Sequence, residues 1–121
     1  MFDHVTLKVS RFSKSAGFYR AALTPLGLEA QIDEAAKSAG FGPKGSVGLW
    51  LAEAPGAGPV HLAFKAGDRA AVAKFYEAAM AAGGKDNGKP GLRADYGPGY
   101  YAAFVIDPDG NNLEAVTFAA E

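Results

Sequence analysis

The chain has only two histidines, His4 and His61, and each stands at the start of a run that alternates in character, "HVTLKV" and "HLAFK". Near the other end, "IDPDGNNLEAV" (Ile106–Val116) sets a single carboxylate, Glu114, in an otherwise apolar run after a turn. A carboxylate facing a core without a partner costs several kcal/mol, so Glu114 needs solvent, a cation or a metal. Two neutral imidazoles and one carboxylate form a three-ligand set that leaves positions open on Fe(II), Mn(II) or a similar divalent ion. A centre with open positions activates substrate or water, whereas a closed one only braces the fold. His4, His61 and Glu114 are therefore the candidate metal ligands.

The elements that must position them repeat. In "HVTLKV", Val5, Leu7 and Val9 alternate against His4, Thr6 and Lys8, the period of a strand with one packed face. Phe12, Ala16, Tyr19 and Leu23 then recur at helical spacing, with Ser13 as the expected N-cap and "TPLG" as the stop. From Val60 to Gly84 the plan recurs: Leu62 and Phe64 alternate with His61, Asp68 is an N-cap, and Val72, Phe75, Ala79 and Met80 make a stripe that ends at two glycines. A shift of 57 superposes His4 on His61, Lys8 on Lys65, Phe18-Tyr19 on Phe75-Tyr76 and Gly27 on Gly84, with eight identities in 24 positions. Such a repeat implies two copies of one supersecondary unit. The halves also end alike, "GPKGSVGLW" matching "DPDGNNLEA" at a shift of 65, each with an x-P-x-G turn. That alignment makes Leu49 the counterpart of Glu114, or Trp50 if the register slips by one. Neither coordinates metal.

We read residues 1–53 as module one, 54–59 as linker and 60–121 as module two of a single domain. Each module is strand, helix, then antiparallel strands, with hairpin partners near 36–41 and 48–52 in the first and 100–106 and 112–118 in the second. The 121 residues carry 12 basic and 13 acidic side chains, a net charge of -1, with no clustering that suits nucleic acid or anionic lipid. Cysteine is absent, which excludes disulfides and thiol nucleophiles. No signal segment or membrane-spanning run is seen, so a cytoplasmic location is expected. "KPGLRADYGPGYY" (Lys89–Tyr101) reads as a long loop in which Arg93 could grip a carboxylate or phosphate and Tyr96 could contact a ligand. "DPDG" lacks the spacing of a calcium loop, which leaves Asp107 and Asp109 as turn formers.

The "DHVTL" start, "FYRAALTPLGLE", "VHLAF" and "FVIDPDGNNLEAV" together resemble the vicinal oxygen chelate superfamily, which includes glyoxalase I, extradiol dioxygenases, fosfomycin-modifying thiol transferases and bleomycin-binding proteins. The resemblance implies an α+β fold of two βαβββ modules related by pseudo-twofold symmetry. Their curved mixed sheets form a cleft with helices outside, usually completed in a homodimer. It places the metal ligands at His4, His61 and Glu114, binding a divalent ion such as Fe, Mn, Zn or Ni. Phe104 takes the place of a substrate-contacting tyrosine of the fosfomycin enzymes, and with Trp50, Arg93 and Tyr96 it completes the candidate substrate contacts. The expected function is a metal-dependent lyase, isomerase, thiol transferase or dioxygenase that chelates vicinal oxygens of a small substrate. The alternative is a metal-free binding or antibiotic-sequestration protein of the bleomycin-resistance type.

Overall fold

A computed structural model describes residues 1–121. Module one runs β1 (Val5–Val9), α1 (Phe12–Leu23), a short 3₁₀ turn (Thr24–Leu26), β2 (Glu29–Asp33), β3 (Ser38–Gly42) and β4 (Leu49–Glu53). Module two runs β5 (His61–Lys65), α2 (Arg69–Ala81), β6 (Lys85–Leu92), a 3₁₀ turn (Ala94–Tyr96), β7 (Tyr101–Ile106) and β8 (Asn112–Thr117). Each module folds into a four-stranded mixed sheet, ordered β1-β4-β3-β2 and β5-β8-β7-β6, with the first and last strands of the module parallel. The helices begin 57 residues apart, as the repeat requires. No helix is long and apolar enough to cross a membrane.

The helices cover one face of the sheets and touch each other, so 19 buried residues from both modules form one core. Phe12, Ala16, Tyr19 and Leu23 of α1 and Val72, Phe75 and Ala79 of α2 line it, as their spacing predicts. Fully burying one such Phe or Leu stabilises the fold by roughly 1.5–3 kcal/mol. On β8, Leu113 and Ala115 point into the core, so Glu114 between them points to the other face.

Some local expectations fail for identifiable reasons. Ser13 does not cap α1; its hydroxyl donates to Glu34. The Phe12 N–H instead donates to Glu53 from the end of β4, 2.9 Å away, so a distant carboxylate takes the cap's role. Asp68 does cap α2, accepting from the Ala71 N–H at 2.8 Å. The segment that reads as a loop from Lys89 is partly strand, because β6 extends to Leu92. Its ladder to β7 is broken by register shifts around Gly88, which hide the alternation, and Pro90 is tolerated because β6 is an edge strand.

Candidate functional site

On the uncovered face of the second sheet, β5 and β8 run side by side with Ala63 opposite Glu114, and β7 places Phe104 opposite Glu114 on its other flank. This pairing brings His61 to the carboxylate: His61 Nε2 lies 2.9 Å from Glu114 Oε1. The other ring nitrogen, Nδ1, lies 3.0 Å from the backbone carbonyl of Asn112. A carbonyl only accepts, so Nδ1 carries a hydrogen and Nε2 is the atom turned toward the carboxylate. The second carboxylate oxygen, Oε2, accepts from the Tyr100 hydroxyl. Glu114 is 3% exposed at its side chain, and its two partners offset the cost of burying it. That hydrogen bond to Glu114, aided by partial desolvation, pushes the Tyr100 phenol up to about 12.

An aromatic and cationic rim surrounds the pair. The Phe104 ring stacks near His61 with centroids 6.3 Å apart, and the Arg93 guanidinium lies 5.4 Å above the same ring. Arg93 can lie flat because the bulged strand beneath it is glycine: a Cβ at Gly88 would sit 2.9 Å from the Phe104 ring and 3.1 Å from Arg93 Nη2. Arg93 Nη2 donates to the Lys89 carbonyl at 2.6 Å, and no carboxylate of the chain pairs with the guanidinium. Tyr96 and Phe118 contact Tyr100 edge-on at 5.4 and 5.3 Å, and both are exposed.

His61, Glu114, Phe104, Arg93 and Tyr96 are thus gathered on one face. His4 is not among them. It precedes β1, is half exposed, and pairs through Nδ1 with Asp3 Oδ1 at 2.7 Å; no three His, Asp or Glu side chains of one chain converge. Trp50 lies on the other sheet, where β4 pairs it with Thr6 and Gly40. Because Thr6 pairs with Trp50 as Ala63 pairs with Glu114, the structural counterpart of Glu114 is Trp50, and the turn-based match to Leu49 is off by one residue. One more residue separates turn from strand in module one. Tyr100 is missed by the sequence reading; its signal is its place one residue before β7, the strand that flanks Glu114.

The family model for the glyoxalase/bleomycin resistance protein/dioxygenase superfamily matches residues 1–115. The chain belongs to this superfamily. Solved structures align along nearly the whole chain. A glyoxalase/bleomycin resistance protein from Albidiferax ferrireducens is 26% identical with a TM-score of 0.77, covering 96% of this chain and 97% of its own. A glyoxalase-related enzyme from Fulvimarina pelagi is 22% identical with a TM-score of 0.70 (93% and 84% covered), and the oxidase ChaP-H2 is 21% identical at 0.68 (97% and 92%). No curated protein sequence matches the chain significantly. The superfamily's paired modules account for the two sheets and the repeat. The superfamily spans enzymes and resistance proteins, so the activity has to be argued from the site itself.

Proposed function

We propose that the chain is a metal-dependent enzyme of glyoxalase type, acting on a small substrate with two neighbouring oxygens. His61 and Glu114 are its ligands in one chain, and His4, at the equivalent start of β1, is the third ligand, contributed by a second copy in a homodimer. One observation carries the reading. His61 donates through Nδ1 to Asn112, which turns Nε2 toward Glu114 Oε1 across 2.9 Å. Two lone-pair atoms so close need a positive charge between them, either a proton or a metal ion, and an imidazole held by its far nitrogen to a carbonyl is the usual support of a ligating histidine. A divalent ion there would supply Lewis acidity to the vicinal oxygens. The chain's own groups do the rest: Tyr100 holds Oε2 so that Oε1 is the free carboxylate oxygen, Arg93 grips a substrate carboxylate or phosphate, and Phe104 and Tyr96 cover its flat part.

Protein purified without a His-tag or chelator should carry about one Fe, Mn, Zn or Ni per chain by elemental analysis, and His61→Ala and Glu114→Gln should each lose it while keeping their far-UV circular dichroism. Equal and negligible metal in all three would overturn the reading. The second reading is a metal-free binding protein in which a proton fills the gap. It is favoured by Trp50, which stands where a symmetric site would put a carboxylate and offers an apolar wall instead. A melting temperature raised by small acids and unmoved by any metal would select it.

A further inference from the structure

A concavity lies away from the His61–Glu114 face, on the helix-covered side, lined by residues of both modules. The sheets are not hydrogen-bonded to each other; β1 and β5 are each an edge strand, and residues of both line the cavity. Its volume is about 270 Å³. Val5 of β1 and Leu62 and Phe64 of β5 form two sides, and Leu23, Phe41 and Leu49 of module one form the floor. The floor residues are among the most buried of the protein, whereas Val5 is 38% exposed at the rim.

The lining is chemically one-sided. Of its 11 residues, all aliphatic, Phe, Pro or Gly, none carries a side-chain hydrogen-bonding or titratable atom. Water needs two to four polar partners to be held in a buried site, and a void of about 150 Å³ lined by Leu, Ile and Phe stays dry and takes up benzene. The present cavity is larger and open to solvent, so filling it with apolar matter recovers contacts that interiors normally have. The absence of any charge or donor excludes the acids, phosphates and metal chelators that suit the His61–Glu114 face. We propose that this cavity is a second binding site, for a neutral apolar small molecule or group the size of one aromatic ring or a short alkyl chain. Its lining contains neither His61 nor Glu114, so occupancy of the cavity and of the metal site are measured separately.

Toluene serves as the probe. In millimolar toluene the wild-type melting temperature should rise by about 3 °C, and saturation-transfer NMR should show toluene bound. Val5→Phe and Leu62→Phe, which add a ring at symmetry-related positions of the rim, should each cut the shift at least tenfold in apparent affinity. His61→Ala should retain it in full. Two filling variants guard against one that misfolds, and each is checked by its own melting curve. No toluene binding by the wild type, or undiminished binding in both folded variants, would overturn the proposal. So would a wild type that ignores toluene but is dimeric by light scattering and becomes monomeric in both variants, because a second copy of the chain would then be the occupant.

Discussion

Glu114 is held from two sides, and the two partners should separate in mutants. Removing the Tyr100 hydroxyl leaves His61 in place but frees Oε2, so Tyr100→Phe should weaken metal binding about tenfold to hundredfold, the usual cost of losing a group that orients a ligand. His61→Ala should abolish it. Isothermal titration with the ion found in the purified protein checks both, and a Tyr100→Phe affinity equal to wild type would show that the hydroxyl does not orient the carboxylate. Glu114 itself was legible from the sequence, because an acid in an apolar run after a turn is costly unless something meets it. Tyr100 was not, since its role depends on which of three nearby tyrosines the strand start turns toward Glu114, and spacing does not contain that. His4 rests on the repeat and on the family resemblance, and neither fixes its distance from Glu114. Symmetry specifies equivalent positions, and whether two such positions face each other depends on how the modules, or two chains, are docked.

Among elements, α1 shows how a helix without a local cap is stabilised from afar. Glu53 accepts from the Phe12 N–H at 2.9 Å and from Lys37 Nζ at 2.8 Å. The Lys37 hydrogen bond first, and then the backbone donor, hold its carboxyl below the usual range. A carboxyl lowered in the folded state contributes stability above its unfolded value and loses it as the pH falls through the folded one. Melting temperatures measured from pH 7 to pH 3 should therefore fall less steeply for Glu53→Gln than for wild type, and parallel curves would remove Glu53 from the acid response. The helices and strands β1, β3, β4, β5, β7 and β8 were readable because their apolar spacing is regular, whereas the edge strand β2 was not, carrying Glu29, Gln31 and Asp33 in its five residues. Strand β6 was not, because Gly88 and Gly91 make room for Arg93 where alternation would have shown a side chain. The matched glycines of the repeat differ in purpose: Gly27 adopts a φ of 80°, whereas Gly84 leaves no space for a Cβ, which would fall 2.4 Å from Val105.

At the scale of the whole molecule, the "DPDG" turn does more than reverse the chain. Asp107 is buried and accepts from the Tyr19 hydroxyl of module one, from the Asn111 N–H and side-chain amide at 2.8 Å each, and from the Asp109 N–H at 2.9 Å. Asn111 accepts in turn from the Val60 N–H at 2.8 Å, and Asp109 from the Ser10 N–H. Burial and the adjacent carboxylate push the Tyr19 phenol up, so it stays a donor at any ordinary pH. This network ties helix α1 and the entry of β5 to one turn. Tyr19→Phe should cost about 1.5–3 kcal/mol in urea unfolding, the range for a hydrogen bond to a charged group, with an unchanged m-value; a loss under 0.5 kcal/mol would mean the clamp is dispensable. The other half of the molecule has settled differently. Trp50 occupies the place of Glu114 and Gly40 that of Phe104, with the indole lying so close that a Cβ on Gly40 would meet it at 2.8 Å. Enlarging Gly40 first collides with the indole, and trimming Trp50 first strips cover from a bare stretch of backbone. The two positions are coupled: a side chain at position 40 finds room only where the indole shrinks or turns away, so packing itself keeps the two halves of the molecule unlike at the place where one of them holds its carboxylate.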